Sequence, residues 1–285
     1  MLKKILSLII CCALLVAFTG CSSNSVATVD GEEIEKGYFE YYFTQLKAQL
    51  QNGLGEQEWE NLQYEGKPAL EYVRNHPEIN DILITGGDPF ALPVELLEYY
   101  VAGFRSIKTV NTIRIGTRAL AADPEKVTDS MADMLKKYHP VWVFTQFNHP
   151  KEVTLEAATA CERLLERGIP LGNQSVFLKG INDSADVLTE LYTKLIGIRV
   201  RPYYLYLCDR VNGTAHFYAD YKAGMEIVEK LRYRLPGYAV PKFIIDANGE
   251  NGGKVTVEKN HILEETPEYL ILQGSSENTV TKFLI

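Results

Sequence analysis

Five short stretches bring together residues able to do chemistry, and each follows or interrupts an apolar run. The first is Thr85-Gly86-Gly87-Asp88-Pro89. Paired glycines let a backbone come close to a ligand, and Asp88 can accept a hydrogen bond from an amine or a ribose hydroxyl. A tight strand-to-helix turn accounts for the same residues. The second is Gln146-Phe147-Asn148-His149-Pro150, where His149 is either a base or the cap of a turn; a lone histidine favours the cap. The third places Asn173 and Gln174 inside an apolar strand. Buried amides need partners, so these two either hold a ligand or tie strands together. The fourth runs from Arg199 to Asp209, with Arg201, Tyr203, Tyr204 and Tyr206 along it. It reads as a polar, aromatic wall or as an edge strand with amphipathic side chains. The fifth begins at Asp246, passes through a glycine-rich loop and closes at Lys254. A lysine among small neighbours leaves room for a cofactor ring and can form a Schiff base. Taken alone, the loop is better read as a solvated hairpin.

The elements that must position these residues are legible from apolar periodicity. Strands are expected at Asp81–Thr85, Val110–Gly116, Val141–Phe147, Leu171–Leu178, Ile198–Leu207 and Phe243–Asp246. Helical spacing falls between them, at about 93–106, 124–138, 154–168, 184–196 and 218–234. Asp123-Pro124 and Thr154 are natural helix starts, and Gly168-Ile169-Pro170 is a natural stop. Strand, helix, strand at intervals of ~30 residues predicts βαβ units, a parallel sheet and right-handed crossovers. The fold class is therefore α/β. A closed or partial (β/α) barrel suits it better than an open sheet, because the five polar stretches fall at strand ends, where barrels keep their sites. Residues 254–285 read as short antiparallel strands.

The chain is 285 residues long, with 46% hydrophobic and 23% charged residues, which excludes a disordered or collagen-like chain. Its net charge of −8 argues against a nucleic-acid partner, which needs a basic patch. Lys3 and Lys4 precede an apolar run from Ile5 to Phe18, followed by Thr19, Gly20 and Cys21. This is the pattern of a secretory signal ending in a lipidated cysteine, and it predicts a lipoprotein anchored in the membrane through Cys21. The run is shorter than the ~20 residues a spanning helix needs. After Ser22–Ser25, the sequence Val26 to Ile34 reads as a strand, an Asp-Gly turn and a helix start at Ile34, with an apolar stripe at 34, 38, 42, 46 and 50. This stretch resembles the opening of the SurA/PrsA-type extracytoplasmic foldases. Residues 51–67 are polar and glycine-bearing, and read as a linker. Four segments follow: a signal at 1–21, a foldase-like helical segment and linker at 22–67, a partial barrel at 68–253, and a closing part at 254–285.

From about Ala69 to Ile285 the chain resembles lysine 2,3-aminomutase. The stretches that carry the resemblance are EYVRNHPEINDILITGGDP, RIGTR, MLKKYHPVW, FNHP, GIPLGNQSVFLKGIND, GIRVRPYYLYLCD and IIDANGENGGK. The resemblance implies a radical SAM isomerase with a (β/α) barrel. A [4Fe-4S] cluster and S-adenosylmethionine generate a radical there, and the amino group of lysine, held on pyridoxal phosphate, migrates from carbon 2 to carbon 3. By the resemblance, Lys254 is the lysine that holds pyridoxal phosphate. Asp209 and Asp246 take the ε-ammonium of the substrate, positions that are non-acidic in the glutamate-acting relatives. Gly86, Gly87 and Asp88 form the S-adenosylmethionine-binding turn. Gln174, Arg201, Tyr203 and Tyr206 line the site. The implied partner is a small lysine-like molecule, in a protein that normally works in the cytoplasm and can form oligomers.

The sequence departs from the family pattern in several places. The five cysteines, at 11, 12, 21, 161 and 208, make no CxxxCxxC, so the expected cluster ligands are absent. The histidines at 76, 139, 149, 216 and 261 show no metal-ligand spacing. The arginine that follows the family's cysteines is missing, and Gln146 stands where the family has histidine. The expectation is a truncated aminomutase-like barrel that lacks its first strand and is inactive as written. Its alternatives are an exported binding or chaperone-like lipoprotein and a gene-level chimera joined near residue 67.

Overall fold

The structure, a computed structural model, describes residues 25–29, 32–35, 69–211, 213–247, 253–258, 261–274 and 279–285. Two compact units are present, Met1–Tyr72 with Asn212–Thr214, and Val73–Val211 with Ala215–Ile285. In the first unit, β1 (Ser25–Val29) pairs antiparallel with β2 (Glu32–Glu35), Val29 opposite Glu32 and Thr28 opposite Glu33. This corrects the expected helix start: Ile34 lies in a strand, opposite Ala27. Two residues, Asp30 and Gly31, separate the strands, and that spacing suits a tight hairpin better than a helix entry. The expected signal, Cys21, the remainder of the apolar stripe and the linker lie outside the described residues.

The second unit is built on a seven-stranded sheet in strictly sequential order. Its strands are β3 (Asp81–Ile84), β4 (Thr112–Gly116), β5 (Val141–Thr145), β6 (Leu171–Phe177), β7 (Val200–Leu207), β8 (Lys242–Ala247) and β9 (Gly253–Thr256). The first six are parallel and β9 runs antiparallel along β8. The crossovers carry α1 (Val94–Arg105), the short α2 (Ala119–Ala122) with α3 (Asp129–Lys136), α4 (Leu155–Glu166), α5 (Ala185–Gly197) and α6 (Tyr221–Arg234). The arrangement is an open, half-barrel-like (β/α) sheet. Alternate strand residues such as Ile113, Ile115, Val141 and Val143 are buried, while Arg114, Phe144 and Gln174 on the opposite face are partly accessible. A separate antiparallel sheet follows, β10 (Ile262–Glu265), β11 (Tyr269–Gln273) and β12 (Val280–Leu284).

Local chemistry sets the helix limits. Thr154 caps α4 by accepting from the Ala157 N–H, Ser184 caps α5 through the Val187 N–H, and Gly168 (φ +75°) turns the chain out of α4. The helix expected to start at Asp123-Pro124 does not. Pro124 opens a 3-10 turn ending at Lys126, and α3 starts later, with Thr128 accepting from the Met131 N–H. The threonine satisfies an amide at the helix N-terminus, whereas Asp123 makes no side-chain cap bond. No helix among the described residues is long and apolar enough to cross a membrane.

Candidate active site

The polar stretches do gather at the C-terminal ends of the parallel strands, but several are occupied by structural work. Both oxygens of Asp88 are engaged: Oδ1 accepts from the Phe90 N–H (3.0 Å) and the Thr117 hydroxyl (2.6 Å), and Oδ2 from the Arg118 N–H (2.8 Å). Asp88 thus ties the loop after β3 to the loop after β4. Gly86 (φ +94°) and Gly87 (φ +57°) are required by backbone conformation, and a Cβ at either meets nothing within 4 Å. The turn therefore offers open backbone beside a carboxylate already in use.

Asn173 resolves the strand-or-ligand alternative in favour of structure. It accepts from the Phe147 N–H (2.7 Å) and donates to the Phe147 carbonyl (3.1 Å) and to the Ser175 hydroxyl (2.8 Å), fully buried. Asn148 and Asn182 continue this network. Asn148 Oδ1 accepts from the Val176 N–H, and Asn182 Nδ2 donates to the carbonyls of Asn148 and Val176. His149 is the cap that a lone histidine suggested: Nδ1 accepts from the Lys151 N–H, while Glu152 accepts from the backbone N–H of His149 in return. Sequence reasoning missed Asn182. Its only signal was an asparagine in the turn after an apolar strand. Gln174, one residue beyond Asn173, makes no hydrogen bond from its side chain among the described residues and stays partly accessible.

On β7 the register shifts between Asn173 and Gln174, which pair with Pro202 and Tyr204 and leave Tyr203 unopposed. Pro202 lacks the N–H for a regular ladder, so an irregularity there costs little. Tyr203 and Tyr204 consequently share a side. Their rings stack at 3.8 Å, and Tyr203 donates to the Tyr204 hydroxyl at 2.8 Å. Burial and this bond push the Tyr204 phenol up to about 12. Arg201 remains exposed at the start of the strand.

The fourth and fifth stretches meet. Asp246 on β8 and Lys254 on β9 are directly opposed cross-strand partners, Nζ to Oδ2 3.8 Å. Lys254 Nζ also lies 5.8 Å from the centroid of the Tyr206 ring. The Tyr206 hydroxyl is buried without a hydrogen-bond partner among the described residues. Burial pushes its phenol up, with smaller contributions from the negative charges around it, Asp246 and Asp209 among them. Asp209, just past β7, is held above the usual carboxylate range by burial and then by Asp246, while Lys254 pulls it down. Two carboxylates, one ammonium and one unused hydroxyl therefore converge.

A lysine beside an aromatic ring and an orphaned buried hydroxyl fits pyridoxal phosphate, which needs an amine for attachment and polar contacts for its ring. The described residues do not fit an iron–sulfur cluster. Cys161 is buried within α4, where burial pushes its thiol up to about 12, and Cys208 stands apart from it. Among the described residues, no three His, Cys, Asp or Glu side chains are grouped to hold a metal ion.

Residues 228–283 match a family model described as Lysine-2,3-aminomutase. The L-lysine 2,3-aminomutase of Clostridium subterminale is 45% identical over 215 residues, 75% of this chain and 51% of that protein. Its counterpart in Bacillus subtilis is 46% identical over 215 residues, 75% of this chain and 45% of that protein. This chain is homologous to the lysine 2,3-aminomutases. It spans about half the length of these two relatives. A solved structure, a radical SAM methyltransferase from Sphaerobacter thermophilus, superposes with a TM-score of 0.46 at 17% identity, over 60% of this chain and 52% of that one. Asp246 and Lys254 fall within the residues that the family model matches.

Proposed function

We propose that the chain provides the amino-acid end of an aminomutase-type site. In this reading Asp209 and Asp246 receive the ε-ammonium of a lysine-like amino acid, and Lys254 attaches pyridoxal phosphate. The observation that carries it is the convergence of Asp246, Lys254 and the unpartnered Tyr206 hydroxyl, with Asp209 close enough to feel both charged neighbours. Paired carboxylates suit an ammonium, whose charge they match through charge-assisted hydrogen bonds. Bound pyridoxal phosphate supplies an electron-withdrawing ring. Tyr206 gives that ring an aromatic neighbour and a hydroxyl for a polar contact, and Asp246 keeps a negative charge beside Lys254. The open backbone at Gly86 and Gly87, with the unbonded amide of Gln174, supports S-adenosylmethionine at the strand ends. Asp88 then acts by holding the turn, and Tyr203 by stacking on Tyr204.

Amino migration itself is not assigned to the sequence as written, because it contains no CxxxCxxC to hold the family's cluster. The reading is therefore one of binding. Titrating the full chain with pyridoxal phosphate is expected to give a visible absorbance band, and borohydride is expected to fix a pyridoxyl mass on the peptide containing Lys254. Lys254→Ala loses both. A wild-type protein without any band would defeat the cofactor assignment.

The basic pair Lys3-Lys4, the apolar run and Cys21 favour a second, compatible reading: attachment to a membrane through a lipid on Cys21. Lipid labelling that survives Cys21→Ala would remove it.

A further inference from the structure

We infer that Thr117, just past β4, is a positioning residue that sets the Gly86–Gly87 turn for its ligand by acting through Asp88. The inference rests on the part of the proposed function that seats S-adenosylmethionine at that turn. The turn needs an outside constraint because of its own residues. Gly86 (φ +94°) and Gly87 (φ +57°) both take left-handed backbone, and a Cβ at either meets nothing within 4 Å. Glycines have the most conformational freedom to lose and no side chain by which to be held. The constraint therefore comes from the next residue, Asp88. Its Oδ1 accepts from the Phe90 N–H (3.0 Å) within the same loop. Its tie to another loop runs to the residues after β4: the Thr117 hydroxyl donates to Oδ1 (2.6 Å), and the Arg118 N–H donates to Oδ2 (2.8 Å).

Thr117 is itself held before it reaches Asp88. Its N–H donates to the carbonyl of Phe144 on β5 (3.0 Å). Its hydroxyl oxygen accepts from the Ala119 N–H (3.0 Å), which leaves the hydroxyl hydrogen for the carboxylate. Thr117 is 5% exposed, so water does not readily replace a bond lost there. A hydrogen bond to an ionised carboxylate is also stronger than a neutral one. Support thus passes from β5 to Thr117, from Thr117 to Asp88, and from Asp88 to the glycine turn. Thr117 touches no ligand in this scheme. It governs the fraction of molecules whose turn is shaped to receive one, and apparent affinity scales with that fraction.

The test titrates the full chain calorimetrically with S-adenosylmethionine and follows amide hydrogen exchange in the same proteins. Thr117→Val keeps the shape and removes the hydroxyl; Thr117→Ser keeps the hydroxyl. In the valine variant, exchange at Phe90, Arg118 and Ala119 is expected to speed up about tenfold or more, the range of a hydrogen bond to a charged group. S-adenosylmethionine is expected to bind about three- to tenfold more weakly, a smaller loss because the Arg118 N–H still holds Asp88. The serine variant restores both. Circular dichroism confirms folding, and Asp88→Asn, which cuts the same tie from its other end, replaces the valine variant if that one fails to fold. Wild-type affinity in the variant that cuts the tie overturns the positioning role and leaves the ligand reading standing. A serine variant as weak as the valine variant overturns it too, since the hydroxyl is then not the agent. Absence of binding in wild type defeats the ligand reading instead; faster exchange in the valine variant then still establishes the tie between the loops, and unchanged exchange overturns that as well.

Discussion

At the residue scale, the site is defined by which polar groups are left unsatisfied. From residue type alone, Asp88 and Asn173 offered the same ligand-or-structure alternative as the loop from Asp246 to Lys254, whereas His149 already favoured a cap. In the structure Asp88 and Asn173 are engaged by backbone groups and hydroxyls of other strands and loops, and His149 Nδ1 by a backbone N–H of its own turn. Tyr206 and Gln174 are not so engaged. Asp209 gives a pH prediction. Burial and the charge of Asp246 raise its folded pKa above the ordinary value of 3.8. Between that value and the raised one, the folded protein binds more protons than the unfolded chain. Stability contributed by this group is thus present at low pH and lost as pH rises through the raised pKa. Asp209→Asn is expected to reduce the fall in stability over that window, measured by urea denaturation across pH. An unchanged profile would mean that Asp246 and burial do not act on Asp209. An ammonium ligand reverses the sign for binding, since it favours the ionised carboxyl, and its affinity should fall as Asp209 protonates.

At the element scale, helices dock on the sheet through close approaches that only small residues allow. Gly224 on α6 is the sharpest case. A Cβ there would lie 2.4 Å from Cζ of Phe243 on β8, whose ring is buried and packs edge-on against Phe177. Replacing a mid-helix glycine by alanine ordinarily gains about 1 kcal/mol of helix propensity. Overpacking a buried ring costs about 1–3 kcal/mol. A contact of 2.4 Å is closer than real Cβ atoms come, so the ring or the helix must shift, and that shift opposes the gain in propensity. Gly224→Ala is therefore expected to lower stability by about 0–2 kcal/mol net, read from the urea midpoint at constant slope. A stabilised variant would show that α6 shifts freely on the sheet. The same logic explains Gly172, where a Cβ would meet the Phe144 ring at 2.6 Å, close to where that ring leans on Tyr203.

At the scale of the whole molecule, an N-terminal export pattern and an aminomutase-like sheet occupy one chain. If Cys21 is lipidated, wild-type protein sediments with membranes after cell fractionation and Cys21→Ala moves to the soluble fraction; wild-type protein in the soluble fraction would overturn the anchor. β3 pairs with β4 alone among its described neighbours, and Leu83 is 44% exposed on it.

Apolar periodicity, helix caps and the motif stretches were local properties, and the sequence by itself determined them: six parallel strands, Thr154 and Gly168 at the limits of α4, and the family resemblance on which Asp209, Asp246 and Lys254 were chosen. The misjudged boundaries were local too, Ile34 entering a strand and Pro124 a 3-10 turn, because pairing across Asp30-Gly31 and the Thr128 cap outweighed the propensity of neighbouring residues. What only the tertiary structure decided was which polar groups remain available. That depends on partners far away in the chain, as with Asn173 and Phe147 or Asp88 and Thr117. It also depends on strand register, which sets Lys254 opposite Asp246 and leaves Tyr203 unopposed beside Tyr204. Register is fixed by packing and ladder hydrogen bonds between strands, so no single stretch of sequence contains it.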